Sequence, residues 1–98
     1  MWFYSTRDKN NRVRSSQAIL QGLSEEGGLF VPESFPQIDP EEACQLEYPQ
    51  LAALILRQYL DDYDPDFLLQ AARETYGDAF QGKAGELKKV ENGLYSLE

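Results

Sequence analysis

The chain has no histidine and a single cysteine, Cys44. Without histidine there is no Ser–His or Cys–His pair to activate a nucleophile, and no zinc site built on Cys and His. One cysteine cannot form an internal disulfide, which fits a reducing compartment. Cys44 lies beside Glu41 and Glu42 on an expected helix, where neighbouring anions disfavour a reactive thiolate, so it reads as structural. Basic residues are few: nine against seventeen acids, a net charge of −8. Such a surface repels phosphate backbones, and nucleic acid is not an expected partner. No apolar run approaches the roughly 18 residues of a membrane span. Arg7, Lys9, Arg12 and Arg14 interrupt the first residues too early for a secretory signal. A cytoplasmic protein is expected.

With 98 residues, 42% of them apolar and 12% aromatic, the chain suits one globular domain over 1–98. At this size folding hides roughly 60–65% of the unfolded surface, enough for one modest core. The fold class expected is α+β, with short strands at both ends, about four helices between them, and a closing β-hairpin.

The punctuation supports that outline. Trp2 to Ser5 is aromatic-rich and suits a strand. Asp8-Lys9-Asn10-Asn11 makes a polar turn. Ser15 or Ser16 is the expected cap of a helix through Ala18, Ile19 and Leu20, which Gly22 ends. Gly27-Gly28 turns the chain into a short buried strand, Leu29-Phe30-Val31, stopped by Pro32. Asp39-Pro40-Glu41-Glu42 opens a short helix by cap and proline. Pro49 opens a longer one, with Leu51, Leu54, Ile55 and Tyr59 at helical spacing. Ala52, Leu56 and Leu60 widen its apolar face, so it should be well buried. Asp64-Pro65 starts a fourth helix, with Phe67, Leu68, Ala71, Ala72 and Tyr76 on one side and Gly77 at its end. Asn92-Gly93 joins two strands, Leu87–Val90 and Leu94–Leu97, as a tight hairpin. Two isolated strands are marginally stable, so this hairpin wants another surface.

Three patterns mimic functional loops. Asp62-Tyr63-Asp64-Pro65-Asp66 spaces carboxylates like a calcium loop, but the sixth and twelfth positions hold Phe67 and Arg73 instead of glycine and glutamate. Gly82-Lys83-Ala84-Gly85 lacks the spacing and the hydroxyl residue of a nucleotide loop. Glu25 and Glu26 form an acidic pair in a glycine turn, which reads as an ordinary wet turn. The four bases between Arg7 and Arg14 form a local patch that either meets an anion or balances the acidic remainder.

The segment Tyr4-Ser5-Thr6-Arg7, the stretch Ser15-Ser16-Gln17-Ala18-Ile19-Leu20-Gln21-Gly22-Leu23 and the signature Glu26-Gly27-Gly28-Leu29-Phe30-Val31-Pro32 together resemble the N-terminal part of threonine synthases. Asp8 stands where many members have glycine. The resemblance is strongest over 2–36, weaker over the closing hairpin at 86–98, and weakest in the helical middle. It implies an N-terminal domain of a pyridoxal-phosphate enzyme of the tryptophan-synthase-β type. The intact enzyme converts O-phosphohomoserine and water to threonine and phosphate, the cofactor supplying the electron sink. The lysine that bonds the cofactor lies, in that family, in a His-Gly-Pro-Thr…Phe-Lys-Asp stretch beyond the hairpin, and the phosphate cradle follows later. Neither is in this sequence. Lys9 and Lys83 fall in polar loops, and Lys88 and Lys89 are adjacent on a strand, so none is an obvious substitute. The expectation is a piece that supplies scaffold, holds no catalytic, cofactor-binding or metal-binding residue of its own, and is inactive alone.

Thr6 and Arg7 are the residues expected to touch substrate, because an arginine fork matches phosphate or carboxylate and a hydroxyl adds a donor. The alternative for Arg7 is a structural pairing with an acidic loop. The expected partner is the cofactor domain of the same enzyme, with self-association through uncovered apolar surface near the hairpin and Leu29–Val31. The competing function is a stand-alone acidic α+β interaction module without catalysis.

Overall fold

A computed structural model describes residues 1–77 and 85–97. The element order is β1 (Phe3–Ser5), β2 (Arg12–Val13), α1 (Ser15–Gln21), β3 (Phe30–Pro32), α2 (Pro40–Cys44), α3 (Tyr48–Tyr59), α4 (Pro65–Tyr76), β4 (Leu87–Glu91) and β5 (Leu94–Leu97). It is a mixed α+β arrangement with four helices among the described residues and short antiparallel strands toward both ends.

The N-terminal sheet has the order β2-β1-β3, all antiparallel. The polar turn at 8–11 closes β1 onto β2: Asn11 N–H donates to the Asp8 carbonyl at 3.1 Å and Asn10 N–H to Asp8 Oδ1 at 2.9 Å. Pro32 is the last residue of β3, opposite Phe3. As β3 is an edge strand, the missing proline N–H costs no ladder bond. Leu29 is 60% exposed and falls outside the strand, and Phe30 to Pro32 are half-buried. The expected buried strand is therefore a partly open edge, because a three-stranded sheet covers it on one side only.

Helix starts follow local chemistry. Asp39 Oδ1 accepts from Glu41 N–H, and Asp64 Oδ1 from Asp66 N–H, each with proline in the first turn. Helix α3 begins one residue before Pro49, on a capping box of Glu47 and Gln50 that the sequence reading did not identify. Helix α1 differs from expectation. Its N-cap is Arg14, which makes no side-chain cap bond. Both serine hydroxyls donate instead to Asp62, and Ser16 N–H donates to Asp62 Oδ2 at 3.0 Å. A carboxylate from the α3–α4 connection does the capping, which frees the serines from that task.

The core is thin. Helices α3 and α4 pack side by side, and the buried apolar residues among those described are Ala53, Leu68 and Ala72. Ile55 and Leu56 stay exposed, so α3 is less covered than its wide apolar face suggested: α4 is its main helical neighbour. Phe67 is also exposed, stacked on Tyr63 with ring centroids 6.2 Å apart, while Tyr48 meets Tyr76 edge-on at 5.1 Å. Three hydroxyl residues, Ser5, Ser15 and Ser24, are as buried as that core. Among the described residues no buried side-chain polar atom lacks a partner.

The hairpin β4–β5 forms as the Asn92-Gly93 signal predicts. Gly93 sits at φ 80°, and the pairing shifts between Lys89 and Glu91 around Val90. Leu87, Val90, Tyr95 and Leu97 are all exposed.

Candidate functional site at the end of strand β1

Strand β1 ends at Ser5, and the chain then passes under the 23–29 loop. That loop is closed by a bridge between Leu23 and Leu29, by Ser24 N–H on the Gly28 carbonyl at 3.0 Å, and by Gly27 N–H on the Ser24 carbonyl at 2.8 Å. Thr6 fastens the loop to the strand twice. Its N–H donates to the Leu29 carbonyl at 2.8 Å, and its Oγ1 accepts from Leu29 N–H at 3.0 Å.

Beneath the loop lies a small hydroxyl cluster. The Ser5 and Ser24 hydroxyls are 2.9 Å apart, and Ser24 Oγ accepts from Gly28 N–H at 2.9 Å. Ser5 Oγ also accepts from Arg7 N–H at 3.2 Å. These contacts explain both glycines. A Cβ on Gly28 would stand 2.6 Å from Ser5 Oγ and 3.0 Å from the hydroxyls of Ser24 and Thr6. Gly27 has φ +78°, and its missing Cβ makes room for Arg7 Nη1 at 3.0 Å.

Arg7 is exposed, and its Nη1–H donates to the Glu26 carbonyl oxygen at 2.8 Å. The arginine thus binds the backbone of the acidic loop, while among the described residues no carboxylate lies within ion-pair distance of it. The Glu26 carboxylate is engaged elsewhere, by Asn11 Nδ2 at 3.1 and 3.3 Å. A backbone N–H at its own position, then the Ser24 hydroxyl, then Asn11, hold that carboxyl below its ordinary range. The sequence reading treated Glu26 as part of a wet acidic turn and did not pair it with Asn11; no local motif links a turn residue to one 15 positions earlier.

Arg12 and Arg14 of the basic patch have structural work. The guanidinium of Arg14 lies 4.5 Å from the centroid of the Trp2 ring and that of Arg12 lies 5.4 Å from it. Arg12 pairs with Glu33 at 2.8 Å, and Glu33 also accepts from Trp2 N–H at 3.1 Å. Arg14 approaches Asp61 at 3.9 Å, and the same carboxylate takes the Met1 amino group. Among the described residues Arg7 and Lys9 make no ion pair, and of these two Arg7 lies against the 23–29 loop. Thr6 and Arg7, adjacent in sequence, flank the same turn.

The decoy patterns resolve on positive contacts. In the calcium-like stretch, Asp62 holds the α1 serines and Asp64 caps α4. Among the described residues no group of three metal-ligating side chains converges. Residues 82–84 of the glycine-lysine stretch, including Lys83, lie outside the described residues. Cys44 is exposed on α2. Lys88 and Lys89 lie on exposed β4.

The comparisons with known proteins agree with one another. A family model described as "Threonine synthase N terminus" matches residues 2–76. The threonine synthase of Haemophilus influenzae is 34% identical over 99 residues, covering all of this chain and 22% of that protein. Human threonine synthase-like 2 is 33% identical over 105 residues, covering all of this chain and 21% of that protein. Among solved structures, threonine synthase from Escherichia coli superposes with a TM-score of 0.82 at 28% identity, over 100% of this chain and 23% of that one. Threonine synthase from Brucella melitensis with bound pyridoxal phosphate gives 0.83 at 27% identity, over 100% and 22%. The chain spans about a fifth of the length of these relatives.

Proposed function

We propose that this chain, which belongs to the threonine synthase N-terminal family, works as the substrate-side wall of an enzyme converting O-phosphohomoserine and water to threonine and phosphate. The observation that carries the reading is the agreement of sequence and fold with about a fifth of threonine synthases along the whole chain, together with the N-terminal family match over 2–76. That agreement favours an enzyme domain over a stand-alone interaction module.

The described residues do not fit pyridoxal phosphate. A lysine that bonds this cofactor needs a walled, desolvating site. Lys9, Lys88 and Lys89 are exposed. The glycine turn offers no phosphate cradle either, since the hydroxyls of Ser5, Thr6 and Ser24 fill the space facing Gly28. On this reading the cofactor belongs to another part of the enzyme, and the chain alone is inactive. The exposed hairpin residues Leu87, Val90, Tyr95 and Leu97 are the surface that the cofactor domain covers. Uncovered, they drive self-association. The work is assigned to the cytoplasm, a reducing compartment that suits the lone Cys44. No helix among the described residues is long and apolar enough to cross a membrane.

Within that role, Arg7 and Thr6 meet the anionic end of the substrate. Glu26 fixes one N–H of the guanidinium through its carbonyl, which limits the rotamers of a long side chain and leaves the remaining donors in a fork suited to phosphate. Thr6 Oγ1 accepts from Leu29, so its own O–H is the donor left for a ligand. The test is Arg7→Ala in a full-length enzyme that begins with these residues. The Michaelis constant should rise about ten- to hundredfold with little change in kcat, the loss of a charge-assisted contact. An unchanged Michaelis constant removes the assignment.

A further inference from the structure

Away from the β1 loop, helices α2, α3 and α4 border an open pocket of about 310 Å³. Its apolar wall comes from Leu46, Leu54 and Leu69 beside buried Ala53, and its charged lining from Arg57, Glu42 and Asp66. Arg57 forms no ion pair with either carboxylate, and none of the three side chains has a hydrogen-bond partner among the described residues. One exposed cation and two exposed anions thus line one half-apolar pocket without pairing with one another.

We propose that this cavity binds a free aliphatic α-amino acid as its zwitterion. A ligand with only a negative charge would meet Arg57 but be repelled by two carboxylates. A ligand with only a positive charge would leave Arg57 uncompensated. A zwitterion satisfies both signs: its carboxylate takes the Arg57 fork, and its ammonium lies with Glu42 and Asp66. An aliphatic side chain then covers the leucines and displaces water from them. The volume lies at the small end of ligand cavities, roughly 300 to 1,000 Å³, which suits a single amino acid and not a peptide or nucleotide. The α3–α4 core is thin, so filling this space also stabilises the helix pair against unfolding. The inference does not depend on the role of Arg7, and the amino acid need not take part in any reaction.

The test is a titration of the isotope-labelled chain with L-leucine, followed by amide proton–nitrogen spectra. Saturable shifts should gather at the α2, α3 and α4 amides bordering the cavity, with a Kd of about 1 mM. Leucinamide, which lacks the carboxylate, and N-acetyl-leucine, which lacks the ammonium, should each bind about tenfold more weakly. Arg57→Ala should weaken leucine binding by a similar factor and leave the spectrum otherwise in place, since Arg57 is exposed and unpaired. The proposal is overturned by the absence of saturable shifts up to about 10 mM. Equal binding of all three probes, or shifts confined to other parts of the chain, would overturn it too. The three-probe comparison needs no variant, so it decides the matter even if Arg57→Ala misfolds.

Discussion

Asp62 caps a helix that begins 47 residues earlier: Ser16 N–H donates to its Oδ2 at 3.0 Å, and the hydroxyls of Ser15 and Ser16 donate to the same carboxylate. This contact ties the α3–α4 connection to the segment that leads out of the N-terminal sheet. Ser15 is 1% exposed, so its hydroxyl has no water to turn to if the carboxylate is lost. Asp62→Ala should therefore lower stability by about 1–2 kcal/mol, the cost of a lost cap plus a buried hydroxyl left without an acceptor. Urea unfolding followed by circular dichroism checks it, with the midpoint falling at unchanged slope.

The same contact predicts an acid-sensitive term. Donation from Ser15, then from Ser16, holds the Asp62 carboxyl at about 2, below its ordinary 3.8. A depressed carboxylate contributes stability that is present above the unfolded value and lost as pH falls through the folded one. The loss should run from about pH 4 down to about pH 2 and, because Asp62 is solvent-exposed, amount to no more than about 1 kcal/mol. Asp62→Asn should flatten that part of the stability profile relative to the unaltered chain. Parallel profiles across the window would contradict the contact.

Gly28 predicts a paired result. Gly28→Ala places a methyl 2.6 Å from Ser5 Oγ in a buried cluster, and should cost about 1–3 kcal/mol by overpacking. Adding Ser5→Ala removes the nearest atom but leaves the Ser24 and Thr6 hydroxyls at 3.0 Å, so the double variant should recover part of the loss. Thermal melts of the two single variants and the double variant supply the cycle. Strict additivity would mean that the glycine is not there for the hydroxyl.

Much of this was legible in sequence, and the boundary between what was and was not is physical. Asp39, Asp64 and Asn92-Gly93 act on residues one to three positions away, so their patterns announce them. The signature 26–32 is equally local. Asp62 was not legible as a cap, because its partner lies 46 residues off and the local serines look sufficient. The stack of Trp2 with Arg12 and Arg14 was hidden for the same reason, inside what read as a loose basic patch. Helical periodicity indicated the apolar face of α3 but not how much of it would be covered, which depends on neighbours. Ile55 and Leu56 show the difference. At the candidate site, Thr6 and Arg7 stood out by residue type. The Glu26 carbonyl that aims Arg7 carries no signal in sequence, since every residue has one.

The central claim is that this chain is a wall of a reactive centre whose cofactor-bearing part lies elsewhere. Phosphate release from O-phosphohomoserine by the purified 98-residue chain, supplied with pyridoxal phosphate and no other protein, tests it most directly. No release above the protein-free rate and no threonine are expected. Sustained formation of threonine at many equivalents per chain would contradict it.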